Sequence, residues 1–191
     1  AIGQAIFLVL FLILYGDCIA ARQRIGAVYF FSRISNRKKW ILKEFVWLLF
    51  YSVLYTFCFV GMHMIFSIWG SSEANLSGTL FKVAFQIGLF LTLLLFEMAV
   101  LCNLFCAAGG SAIGILLSML CVIGLIMWST AEVDGVVSEM INPMWLSADI
   151  IENGGSYIQK IIIVFLQTAI CAVGTGYYLA KRDLFAREGE G

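Results

Sequence analysis

The sequence predicts an all-α fold, a polytopic transmembrane helical bundle that forms a single domain over residues 1–191. Composition is the first reason: 62% of the residues are hydrophobic and 13% are charged, whereas soluble domains have about 45–50% and about 25%. The second reason is that the apolar runs are long and do not alternate with polar residues, which argues against a transmembrane β-barrel. Within lipid, a continuous apolar run satisfies its backbone hydrogen bonds as a helix.

Five runs approach the length that a bilayer core of about 30 Å requires, which is about 20 mostly apolar residues. The predicted spans are Ile2 to Ala20, Phe45 to Trp69, Leu80 to Ala107, Ser111 to Thr130, and Ile161 to Leu179. Only residues 108–110 separate the third span from the fourth, which predicts a tight helical hairpin. A signal peptide is the alternative for the first run, although no soluble secreted domain follows it.

Basic residues are concentrated in two segments. Ten of the twelve Lys and Arg residues lie in residues 21–43 and 180–191, which fall on one side of the membrane if the spans alternate. The positive-inside rule places that side, including the C-terminus, in the cytoplasm. Ala1 is then outside, so we expect the full-length protein to carry one more helix upstream, six in all.

Two connections are longer than a hairpin needs. Within the cytoplasmic connection, residues 21–43, the stretch 24–33 is too short to span a bilayer and too apolar for a plain loop. It predicts an interfacial or protein-docking helix. The outer connection, residues 131–160, predicts one or two short helices that dip at the outer interface before the last span.

No motif in the chain indicates an enzyme. The Walker A pattern GxxxxGK[ST] requires a Gly-Lys pair, and the chain has none, so we expect no P-loop ATP hydrolysis here. Cys102 and Cys106 are one helical turn apart, but no second pair completes four ligands, which favours packing over a metal site. His63 has no carboxylate within a turn, so an ordinary interior or interfacial histidine is favoured over a proton relay.

Glu97 is the polar residue that the sequence singles out. It follows the apolar residues 89–96 inside the third span, about 22 Å along a helix from Lys82. An acid at this depth is expected to face the bundle or a wet cavity. Two alternatives remain: an ion pair with a basic residue near the cytoplasmic surface, or contact with a substrate.

The order of these elements resembles the membrane (permease) subunit of type-2 ATP-binding-cassette transporters. The resemblance rests on the docking segment Arg22 to Arg33, the outer helices within residues 133–157, and the basic, aromatic tail over residues 176–185. It covers essentially the whole chain. Such subunits have six helices with both termini inside, and they work with a second membrane subunit and a separate ATPase that binds ATP and Mg.

The resemblance implies that a cytoplasmic coupling helix docks on the ATPase, with residues 26–31 inserted in a groove and the arginines paired with acids at its rim. The implied docking residues are Arg22, Arg24, Ile25, Gly26, Val28, Tyr29, Phe30, Phe31 and Arg33. The implied function is that of a transport subunit in an ATP-driven exporter in the plasma membrane of a bacterium.

The apolar, aromatic spans favour export of an amphipathic peptide, a lipid-like molecule or a hydrophobic antibiotic, with Glu97 as a substrate-path candidate. The alternative is an accessory or immunity-type membrane protein that binds a peptide or lipid without any ATPase. An intramembrane enzyme is the least favoured class, because it would need paired acids or a metal constellation at one depth.

Overall fold

The computed structural model describes residues 2–26, 37–70, 78–130 and 157–181. These residues form the helices α1 (Ile2–Tyr15), α2 (Cys18–Gly26), α3 (Arg37–Gly70), α4 (Gly78–Gly109), α5 (Ser111–Thr130) and α6 (Tyr157–Lys181). Of the residues described, only Gly16, Asp17 and Gly110 lie outside a helix. The predicted all-α class is therefore confirmed for this part of the chain.

Within the described ranges, five helical stretches are long and apolar enough to cross a membrane. They are Ile6–Arg24, which joins α1 and α2, and Arg37–Phe66, Phe81–Gly109, Ser111–Trp128 and Tyr157–Lys181. Each predicted span corresponds to one of them, as expected of a multi-pass membrane protein.

Several helix boundaries differ from the prediction. The first predicted span is interrupted at Gly16 and Asp17, where α1 ends and α2 begins. α3 begins at Arg37 rather than Phe45, so part of the predicted cytoplasmic connection is helical. The reason is that Ile41 and Glu44 are buried on the face that carries Leu48, so the helix continues to bury one stripe beyond the apolar run. α6 begins at Tyr157 rather than Ile161.

α4 is the central helix of the bundle, with α1, α2, α3, α5 and α6 packed around it. Its residues from Phe90 to Val100 are mostly buried, and so are Cys102, Asn103, Cys106 and Ala107. The other helices expose large apolar side chains such as Phe57, Ile170 and Val173. Because lipid tails are as apolar as these side chains, the outward faces need no protein cover.

The end of α6 and the start of α3, which carry described parts of the two basic segments, lie at the same end of the bundle. A Cβ on Gly176 of α6 would lie 3.3 Å from Cε2 of Phe45 in α3, so the end of α6 lies beside the start of α3. At the opposite end, the hydroxyl of Tyr157 donates to the carbonyl of Gln86 at 3.3 Å. We call the first of these the basic end. Of the predicted coupling segment, residues 21–43, positions 27–36 lie outside the described residues, as do positions 131–156 of the predicted outer re-entrant segment.

Candidate functional site

The break between α1 and α2 lies against α4. The amide of Gly16 donates to the carbonyl of Leu12 at 2.8 Å, and the amide of Ala21 donates to the carbonyl of Asp17 at 2.7 Å. A Cβ on Gly16 would lie 2.7 Å from Sγ of Cys102 and would also collide with the carbonyl oxygen of Leu12. Glycine therefore suits this position, because a side chain here would have to displace Cys102 of α4 or the backbone at Leu12.

Asn103 of α4 supplies a hydrogen-bond acceptor for backbone amides at this break. Its Oδ1 accepts from the amide of Ile19 at 2.9 Å and from the amide of Ala20 at 3.1 Å. Its Nδ2 donates to the carbonyl of Ala99, one turn earlier on α4, at 2.8 Å. The first amides of a helix have no partner within the helix, and in a dry interior each unpaired group costs several kcal/mol. Asn103 thus acts as a remote cap for α2.

A second set of contacts joins α2 to α5. The hydroxyl of Ser111, the first residue of α5, donates to Oδ2 of Asp17 at 2.8 Å. Nη2 of Arg24 donates to the same hydroxyl oxygen, and Nε of Arg24 donates to the carbonyl of Ala20 at 3.4 Å. Gly110, with a φ of 95°, forms the turn that places Ser111 there; this φ is one that glycine adopts without strain.

A third contact joins α2 to α3. Nη1 of Arg22 lies 2.6 Å from Oε2 of Glu44, whose side chain is 8% exposed, while that of Arg22 is 51% exposed. These polar residues of α2 and its neighbours hold α2 to three helices at the basic end. We call them the anchor cluster: Asp17, Arg22, Arg24, Glu44, Asn103 and Ser111.

The anchor cluster contains two of the predicted docking residues, Arg22 and Arg24, and both make contacts within the chain. Ile25 and Gly26 form the last positions of α2. The others, Val28, Tyr29, Phe30, Phe31 and Arg33, lie outside the described residues. Docking on an ATPase stays a prediction for all of them.

Sequence reasoning missed Asn103 and Ser111. A single asparagine inside the apolar run 98–107 is the signal that could have identified a buried polar contact. Its partners could not be found from the sequence, since they are backbone amides of another helix.

Glu97 lies in the interior between α4 and α6 and is 8% exposed. Its carboxyl oxygens face the hydroxyl of Thr168 at 3.3 Å and the thiol of Cys171 at 3.7 Å. Thr168 also donates to the carbonyl of Val164 at 2.8 Å, which is the shorter contact for its single proton. The partners of Glu97 among the described residues are thus a hydroxyl and a thiol rather than the basic side chain that one alternative required.

Cys102 and Cys106 lie in tightly packed surroundings near the basic end. Their sulfur atoms are 3.9 Å apart, and Cys106 faces the carbonyl of Ser111 at 3.7 Å. A Cβ on Gly114 would lie 2.5 Å from Cα of Cys106, so α4 and α5 approach at backbone distance here. Over the four described ranges, no group of three or more His, Cys, Asp or Glu residues could hold a metal ion.

Comparison with known proteins gives no relative: neither a family model, nor a curated protein, nor a solved structure matches this chain.

Proposed function

We propose that this chain is the permease subunit of an ATP-driven exporter, which forms its translocation path with a second membrane subunit and is powered by a separate ATPase. The observation that supports this most directly is the anchor cluster. It joins α2 to α3, α4 and α5 at the basic end, beside the connection that would carry the coupling helix. ATP and Mg would bind to the partner ATPase, not to this chain.

The anchor cluster suits the transmission of movement from that connection to the bundle. Residues 27–36 join α2 to α3, and these two helices are held together by Arg22 and Glu44. A displacement of the connection would therefore move both helices as a unit. Asn103 and Ser111 would transmit the displacement to α4 and α5, because their hydrogen bonds to α2 restrict sliding of α2 along these two helices.

The arginines of α2 keep the capacity to bind a partner as well. Arg22 uses Nη1 for Glu44 while about half of its side chain is exposed, and Arg24 is exposed. A guanidinium has five N–H donors, so each arginine can hold an acid of the ATPase while keeping its contact within the chain. In this proposal, the aromatic residues Tyr29 and Phe30 enter the groove of the ATPase between these arginines and Arg33.

Glu97 is the residue that we assign to the substrate path. A buried carboxyl whose partners among the described residues are a hydroxyl and a thiol is a suitable partner for a polar or cationic group on an otherwise apolar substrate. The substrate classes that fit are an amphipathic peptide, a lipid-like molecule or a hydrophobic antibiotic. The transported molecule would reach Glu97 when α4 and α6 separate.

Purification from the native host tests the proposal. The full-length protein is isolated in mild detergent, with and without prior cross-linking, and co-purifying proteins are identified by mass spectrometry. Stoichiometric recovery of an ATP-binding-cassette protein is the expected result. A cross-linked preparation without such a protein would instead favour the accessory or immunity-type protein that binds a peptide or lipid.

The docking residues are tested separately in reconstituted vesicles. Tyr29→Asp and Phe30→Asp are expected to uncouple ATP hydrolysis from transport, because a carboxylate cannot enter an apolar groove without losing its hydration. Tyr29→Phe is the matched control and should transport normally. Normal transport by both aspartate variants would contradict the docking assignment while leaving the membrane subunit itself intact.

A further inference from the structure

An apolar groove of about 500 Å³ lies between α3 and α4 in the half of the bundle opposite the basic end. α3 contributes residues from Val53 to Met64, and α4 contributes residues from Phe81 to Leu93. Among the described residues that line it, Thr56 and Thr92 bear hydroxyls, and the hydroxyl of Thr92 donates to the carbonyl of Gly88 at 2.8 Å. The groove thus offers almost nothing to a polar ligand.

The length of the groove matches one leaflet of a bilayer. At 1.5 Å per residue, Phe81 to Leu93 covers about 18 Å and Val53 to Met64 about 17 Å. Half of a hydrocarbon core of about 30 Å is about 15 Å. Phe57 and Phe85, both largely exposed, form part of its walls. The groove therefore opens sideways onto the hydrocarbon and has the length of an extended acyl chain.

A lysine lies at the end of this groove that is farthest from the basic end. Lys82 is exposed, and it precedes Phe85 and Leu89 at spacings of three and seven residues, which places the three on one face of α4. Lys82 is near the start of α4, where a lysine side chain extends toward the headgroup layer. The complementary ligand has an apolar chain and an anionic head.

From this arrangement we propose that the α3–α4 groove binds an anionic phospholipid of the surrounding leaflet, with one acyl chain in the groove and the phosphate on Lys82. The phospholipid is a resident ligand of the bundle rather than its cargo. It would fill the space between two helices that pack on each other near Gly88, where a Cβ would lie 3.8 Å from Val60 and 3.9 Å from Thr56. This proposal does not depend on the presence of an ATPase.

Native mass spectrometry of the purified full-length protein tests it. Phosphatidylglycerol and phosphatidylcholine with identical acyl chains are added in turn, and the retained lipid is counted per chain. We expect one phosphatidylglycerol to be retained in preference to phosphatidylcholine. Lys82→Gln, which changes an exposed side chain and leaves the packing intact, should reduce retention about fivefold. Lys82→Arg should retain the lipid.

Two glycine variants test the groove itself. Gly88→Leu adds a side chain where a Cβ makes only ordinary contacts, so it fills the groove and should abolish retention. Gly61→Leu is the matched control on α3, because a Cβ at Gly61 meets nothing within 4 Å and Gly61 does not line the groove. A phosphatidylglycerol with a photoreactive acyl chain should cross-link to residues 53–64 and 81–93.

Equal retention of the two lipids would overturn the proposal. So would retention that Lys82→Gln does not change, or equal retention by the Gly88→Leu and Gly61→Leu variants. A protein dimer in the native mass spectra, with no lipid cross-links at residues 53–64 and 81–93, would assign the groove to a second copy of the protein and would equally refute it.

Discussion

Oδ1 of Asn103 accepts a hydrogen bond from the backbone amide of Ile19 at 2.9 Å, across 84 positions of sequence. The contact lies at the break between α1 and α2, and the same oxygen accepts from the amide of Ala20. A break inside a membrane span leaves backbone groups without intrahelical partners, and these must be satisfied by protein when no water is present. Asn103 therefore makes the break compatible with its buried position.

Replacing Asn103 by alanine is expected to destabilise the protein by about 1–3 kcal/mol, because two buried amides lose their acceptor. The free energy of unfolding in mixed micelles is the measurement. Ser52→Ala is the matched control: Ser52 is equally buried, but its hydroxyl donates only to Leu48 of its own helix. The cap would be refuted if the two variants lost the same free energy.

Gly16→Ala and Gly114→Ala are both expected to cost about 1–3 kcal/mol through overpacking. The Cβ at Gly16 would collide with the carbonyl oxygen of Leu12 and lie 2.7 Å from Sγ of Cys102, so Cys102→Ala should restore only the part of the loss that the sulfur causes. The Cβ at Gly114 would lie 2.5 Å from both Cα and Sγ of Cys106, so Cys106→Ala should likewise restore only part of the loss.

Gly124→Ala is the control for this pair, since a Cβ there has open space around it. It should be neutral or slightly stabilising, because alanine has the higher helix propensity. All variants are compared by their unfolding free energies in one detergent. A full rescue of Gly114→Ala by Cys106→Ala would contradict the close backbone approach of α4 and α5.

Hydropathy located the spans because each span is a continuous apolar run, whether it faces the bundle or the lipid. The bounds of α5 agree with the prediction. The turn at Gly110 separates it from α4, and α5 begins at the next residue, Ser111. The start of α3 was predicted too late. Hydropathy falls at Lys43, but Ile41 and Glu44 still bury one face of the helix, and a charged surface does not end a helix whose other face is packed.

For the candidate site too, one part could be predicted from the sequence and another part could not. Glu97 was predicted to face the interior because a single acid stands in an apolar run, and it is buried as expected. The break at Gly16 and its cap by Asn103 depend on residues far apart in sequence. Hydropathy carries no information about such pairing, so this part of the anchor cluster could not be predicted from the sequence.

The orientation of the bundle is tested by thiol labelling of single-cysteine variants. Lys38 and Lys82 are both exposed and lie near opposite ends of the bundle. If the basic end is cytoplasmic, as the positive-inside rule predicts, an impermeant maleimide should label Lys82→Cys in intact cells. It should label Lys38→Cys only after permeabilisation. The reverse pattern would place the basic end outside and would remove any cytoplasmic docking of residues 22–33.

Arg22 and Glu44 are expected to respond unequally to neutral substitutions. Arg22→Gln leaves the carboxyl of Glu44, 8% exposed, without its guanidinium, and should cost about 1–3 kcal/mol. Glu44→Gln leaves an arginine that is about half exposed and should cost about 1 kcal/mol or less, since water replaces the lost partner. The double variant should therefore be more stable than Arg22→Gln alone.

A double-mutant cycle on unfolding free energies measures this coupling, for which we expect about 1 kcal/mol. Repeating the cycle at higher ionic strength distinguishes a buried ion pair from a solvent-exposed one. A coupling that persists in salt indicates that Glu44 is held out of solvent by α2, because buried pairs are screened much less than exposed ones. Additive single effects would show that Arg22 and Glu44 do not join α2 to α3.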